Sequence, residues 1–146
     1  MVTAGIANNG QVVKPYLVER ITGPDLSVVE TTDPEFHAQA VSARTAQKVQ
    51  DMMEHTVHEG TADQARIPGV TVGGKPGTVE HGVDVRDERP CAWFVSSYVK
   101  QSDGSSPVAV AVFFDPKDMD ISASEIGGVR LAAPVAKAVM KAVLKP

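Results

Sequence analysis

Val72–Gly82 reads VGGKPGTVEHG. The stretch has the look of a β-strand, yet its middle carries Lys75, Pro76, Gly77 and Thr78 in that order. Three readings are open: an edge strand that carries chemistry, a phosphate-binding loop, or a turn with no task. Proline fixes φ and has no N–H, so a strand tolerates it only at an edge or a bulge. A phosphate loop places glycines before Lys-Thr or Lys-Ser and opens a helix. Here the lysine precedes Pro-Gly and strand-forming residues follow, which makes the phosphate reading the weaker one.

Working outward from Val70–Glu80, the polar run His81–Pro90 is expected to be an exposed loop, with Asp84, Asp87 and Glu88 solvated. Cys91–Val99 (CAWFVSSYV) reads as a strand, Gln101–Ser106 as a turn, and Pro107–Asp115 (PVAVAVFFD) as a second strand. That last strand is nearly all apolar, so burial on both faces is expected. Short connections make the three an antiparallel meander. After the loop Lys117–Gly128, Pro134 stands near a helix start. Val135, Ala138, Val139, Ala142 and Val143 form one apolar stripe, with Lys137, Lys141 and Lys145 opposite. That stripe is expected to lie across the meander.

On the N-terminal side, Ser42 is an N-cap candidate for a helix whose Ala46, Val49, Met53 and Val57 share a face and which Gly60 ends. Val12–Ile21 and Ser27–Thr31, joined by Gly23-Pro24-Asp25, are read as an N-terminal β-hairpin, with Pro15 marking an edge or bulge. Asp33–Val41 is read as irregular. Met1–Ala7, stopped by Asn8-Asn9-Gly10, reads as the last two turns of a helix. The expected fold class is α+β: a three-stranded meander, a packed C-terminal helix, one further helix and the hairpin. Residues 1–146 are read as one domain.

Composition bounds the function. The chain is 42% hydrophobic and 22% charged, as a globular protein is. A net charge of −4, 5% aromatics and no basic block give no case for nucleic acid. One cysteine, Cys91, allows neither an internal disulfide nor a cysteine-based zinc site, and it is read as a small buried filler. His55 and His58 have a spacing metals can use, but no third ligand is evident, and a solvated helix face is the preferred reading. No metal or cofactor is expected. No apolar run approaches the ~20 residues of a membrane helix, and MVTAGIANNG has no signal-peptide character. A product made as this chain alone is therefore expected in the cytoplasm.

The ordered set IANNG, VVKPYLVERITGPD, a helix, GVTVGGKPGT, AWFV, VAVAVFF, GG and AAPVAKAVMKAVL resembles the C-terminal part of the transpeptidase domain of class B penicillin-binding proteins, closest to actinobacterial elongation-type members. The resemblance runs through essentially all of the chain in collinear order. It implies a partial transpeptidase/β-lactamase-like fold. It also implies a family chemistry in which a serine attacks a D-Ala-D-Ala carbonyl and forms an acyl-enzyme, using motifs Ser-x-x-Lys, Ser-x-Asn and Lys-Thr-Gly. Lys75, Pro76, Gly77 and Thr78 fall on the Lys-Thr-Gly strand and the residue after it. The resemblance implies that they bind substrate: the lysine supplies charge, the glycine lets substrate approach the backbone, and the following residue gives an N–H to the oxyanion hole. Pro76 departs from the pattern and removes the middle hydroxyl. The opening question then has its answer in an edge strand with an altered centre.

The other two family motifs lie upstream of the segment matching Met1. The chain alone is expected to be catalytically incomplete, with no catalytic residue assigned. Ser97-Tyr98-Val99-Lys100 spells Ser-x-x-Lys, but nine serines and eight lysines make a chance match ordinary. It also falls in a strand, where i and i+3 point to opposite faces. Ser102-Asp103-Gly104 reads as a turn. The partners implied are peptidoglycan stem peptide or β-lactam, an N-terminal transpeptidase half, and a second copy in a homodimer. The alternative is a non-catalytic binding, complementing or self-associating module. An independent hydrolase acting through Ser97 or Thr78 is disfavoured, since no base stands beside either.

Overall fold

A computed structural model describes residues 1–80, 90–100, 104–117 and 119–144, and side chains outside 95–100 and 123. The charged loop read at 81–89 and the residues 101–103 and 145 named above lie outside the described set.

Helix α1 (Val2–Ala7) stops where Asn9 and Gly10 take positive φ, 53° and 83°. Strand β1 (Gln11–Val13) follows, then β2 (Arg20–Thr22), β3 (Val28–Thr31) and β4 (Phe36–Gln39). The expected single hairpin is corrected here. Strands β2 and β3 pair at its tip, and β1 pairs with β4 at its base. The region read as irregular thus contains β4. Pro15 accounts for the split, since it has no N–H to continue the ladder. Lys14 N–H to Glu35 O and Thr32 N–H to Glu19 O, both 2.8 Å, bridge between the two paired segments.

Helix α2 (Ala43–His58) begins where the sequence places it, with the Ser42 hydroxyl accepting the Thr45 N–H at 3.2 Å. Its buried face is Ala46, Gln50, Met53 and Val57. Gln50 replaces the expected Val49, which is half-buried. The Gln50 amide donates to Ile6 O at 2.7 Å and ties α1 to α2.

Strands β5 (Thr71–Val79), β6 (Cys91–Lys100) and β7 (Ala109–Phe114) form the antiparallel meander in the order β5-β6-β7. Successive side chains alternate between its faces. One face carries Phe94, fully buried against Val57 of α2 and a cluster containing Ile67, Val72, Ala133, Ala136 and Met140. The other face carries Trp93 and Phe113, paired in register, with ring centroids 4.6 Å apart and planes tilted by 50°.

Two expectations about burial are overturned. Strand β7 is not buried on both faces: Val110 and Val112 pack on the core, whereas Ala109, Ala111 and Phe113 are exposed, Phe113 by 50%. Helix α3 (Ala133–Leu144), entered through a π turn at Gly128–Ala132, turns the opposite way from expectation. Its buried residues are Ala133, Ala136 and Met140, while Val135, Ala138, Val139, Ala142 and Val143 are exposed. Alanines let the helix axis come close to the sheet, and Met140 fills the remaining space. Apolar residues nearly all round α3 left its inward face ambiguous.

Candidate functional site

The site is built on the outer edge of β5. Among the described residues only β6 pairs with this strand, in the register Lys75↔Val95, Pro76↔Phe94, Gly77↔Trp93 and Thr78↔Ala92. A register shift between Gly73 and Lys75 marks a bulge at Gly74. A Cβ on Gly74 would stand 2.7 Å from Phe94 Cζ and 3.3 Å from Val57 Cγ2, so the core needs glycine there.

Beyond the bulge the strand is regular, and its backbone polarity follows. Lys75 Nζ donates to Pro76 O at 2.6 Å, so this carbonyl points away from β6. In an antiparallel pair, alternate residues face the neighbour. Lys75 and Gly77 therefore bond to β6, whereas Pro76 and Thr78 face outward. Proline occupies a position whose N–H the ladder never uses, which is how the strand accommodates it. Thr78 turns its N–H and C=O away from β6, and its side chain is exposed.

Gly77 differs from Gly74. A Cβ there would meet only Trp93 Cβ, at 3.7 Å, an ordinary contact. Internal packing does not explain its glycine. The edge thus combines an exposed ammonium at Lys75, bare backbone at Gly77 and outward donors and acceptors at Thr78. Such an edge has the chemistry to receive a short extended peptide by main-chain hydrogen bonding, with the lysine available to a carboxylate. The Trp93–Phe113 pair lies on the open face, so Trp93 is half-buried.

The four residues read from the sequence are thus brought together. The chance Ser-x-x-Lys match is not: Ser97 and Lys100 both lie in strand β6, with no helix to align them; Ser102-Asp103 lies outside the described residues. Among the described residues no cluster of three His, Cys, Asp or Glu side chains could hold a metal ion. His55 instead stands 3.6 Å from Glu59. Cys91 is buried, and desolvation, then the charge of Asp115, raises its thiol pKa. A cavity of about 550 Å³ between α1, β1 and Gly104–Ala109 is not lined by any of Lys75–Thr78. Among the described residues no helix is long and apolar enough to cross a membrane.

Sequence reasoning missed Gly128. A Cβ there would fall 2.0 Å from Trp93 O and 2.8 Å from both Gly77 N and Gly77 O. The only signal was the pair Gly127-Gly128 between a strand and a helix.

The family model for the penicillin binding protein transpeptidase domain matches residues 2–141, and the chain belongs to that family. Among its relatives, the peptidoglycan D,D-transpeptidase PbpA of Mycolicibacterium smegmatis is 39% identical over 144 residues, 99% of this chain and 28% of the relative. PbpA of Mycobacterium tuberculosis is 39% identical over 145 residues, again 28% of its length. The solved structure of penicillin-binding protein A from M. tuberculosis as a ceftriaxone acyl-enzyme superposes with a TM-score of 0.85 at 35% identity, covering 99% of this chain and 31% of that one. The resemblance to actinobacterial elongation-type members is borne out. The chain spans less than a third of the length of these relatives.

Proposed function

We propose that residues 1–146 are the C-terminal portion of one transpeptidase domain and that the β5 edge, Lys75-Pro76-Gly77-Thr78, binds the acyl-D-Ala-D-Ala end of a peptidoglycan stem peptide and β-lactams that mimic it. The observation that carries the reading is the outward-facing Thr78 edge beside an exposed lysine and a glycine that packing does not require. Membership of the transpeptidase family supports the ligand class. The chain alone binds without acylating, because activation of a serine needs an adjacent base. Within the family's architecture this binding serves cell-wall cross-linking outside the membrane.

Titration with diacetyl-Lys-D-Ala-D-Ala and incubation with a fluorescent penicillin, read by intact mass, test the proposal together. Saturable peptide binding without a covalent adduct is the expected result. A one-to-one penicillin adduct would instead mark an independent enzyme. Absence of any peptide binding would leave a module that has the fold without the ligand.

A second reading, a complementing or self-associating role, is favoured by three surfaces that no strand or helix among the described residues covers. They are the outer edge of β7, the open sheet face with Trp93 and Phe113, and the α3 stripe from Val135 to Val143. Each suits the remainder of a transpeptidase domain on a separate chain or, in its absence, a second copy in a homodimer.

A further inference from the structure

The alternation along β5 makes Gly77↔Trp93 the hydrogen-bonded pair, since Pro76 on one side faces outward. Both members of the pair direct their Cβ positions to the open face, so the core face above this pair is bare backbone. Gly128 sits on it. Its missing Cβ would overlap Trp93 O at 2.0 Å and touch both polar atoms of Gly77 at 2.8 Å. Backbone atoms cannot swing aside as the end of a side chain can. The segment that delivers Gly128 is braced on both sides. Before it, Ser122 donates from N–H and hydroxyl to Glu125 Oε2 at 3.0 and 2.6 Å, and Ile126 is buried. After it, Leu131 N–H bonds Gly127 O at 3.0 Å, and Ala133 N–H returns to Gly128 O and closes the π turn. Gly127 shows the contrast: a Cβ there meets nothing within 4 Å, and its φ of −169° suits any residue.

We infer that Gly128 is a positioning residue for the β5 edge: the π turn seats the Gly77–Trp93 pair and so sets where Thr78 presents its outward N–H. Gly128 touches no ligand. It acts through Gly77, one residue from the presenting group. Single-turn π segments recur at functional sites. The inference rests on the reading of the β5 edge as a ligand site, but its structural half stands apart from that reading.

The test compares Gly128→Ala with Gly127→Ala in the full chain. Backbone amide resonances and the emission of Trp93, the single tryptophan, report the seat; diacetyl-Lys-D-Ala-D-Ala affinity reports its use. In Gly128→Ala the amides of Gly77, Thr78 and Trp93 move, those of α2 stay, and affinity falls at least about ten-fold, or 1.4 kcal/mol. Gly127→Ala is silent in both readouts. Unmoved Gly77 and Thr78 resonances, or an unchanged affinity in a parent that binds, would overturn the inference. If Gly128→Ala does not fold, Leu131→Gly loosens the same π turn and keeps glycine at 128; parental Gly77 and Thr78 signals in that variant would overturn it equally. A parent that binds no peptide defeats the ligand reading, while the resonances still decide whether Gly128 seats the strand.

Discussion

Gly74 has no room for a side chain, because a Cβ would press on the Phe94 ring inside the core. Gly77, three residues on, has that room and is still glycine. The two positions separate a glycine that packing requires from one that packing does not, which on the proposed function serves the ligand. Gly74→Ala is expected to cost about 1–3 kcal/mol of stability through overpacking, with a lowered denaturation midpoint as readout. Gly77→Ala is expected to fall within about 0.5 kcal/mol of the parent yet to weaken peptide binding. A Gly77→Ala variant that unfolds like Gly74→Ala would mean that glycine serves the fold there. Lys75, Pro76, Gly77 and Thr78 were legible from the sequence because they are contiguous and their chemistry is unusual for a strand. Gly128 was not, because its reason lies in two strands distant in sequence.

Among the elements, α2 was the most legible, since its cap and its apolar spacing agree. Ser42 supplies the acceptor for Thr45 N–H. At the other end the Arg66 guanidinium donates to the carbonyls of Val57 and His58, which the helix itself leaves unpaired. Ser42→Ala is expected to lower stability by about 1 kcal/mol, measured by urea unfolding with an unchanged slope. No change in the midpoint would show that the first turn is held by packing alone. Helix α3 teaches the opposite lesson. Valine is more hydrophobic than alanine, so the valine stripe invited an inward assignment, but Ala133 and Ala136 pack against the sheet. Closeness of approach decided the orientation, and periodicity cannot register closeness. The split of the N-terminal ribbon was half legible, in Pro15, but β4 draws its strand character from pairing with β1.

At the scale of the whole molecule, the apolar surface is unevenly spent. Val135, Val139 and Val143 are 44%, 42% and 48% exposed along one face of α3, and Phe113 adds to the open sheet face. Contiguous apolar surface of this kind marks a place of contact. The chain is expected to self-associate at tens of micromolar, and Val135→Lys with Val139→Lys is expected to shift it toward monomer without unfolding it. Sedimentation velocity reads both. A parent that is monomeric at those concentrations would assign the stripe to a separate chain or to none. The two rims of the sheet have unequal prospects in any such contact. The outer rim of β7 offers unbroken backbone groups. The rim of β5 has a missing tooth at Pro76, which has no N–H, and a carbonyl there already taken by Lys75. A foreign strand that docks at Thr78 cannot zip onward past that gap. On the proposed reading of this edge, the proline that unsettles the family motif also works as a gatekeeper, leaving room for a guest one or two residues long while denying a template to fibrillar stacking.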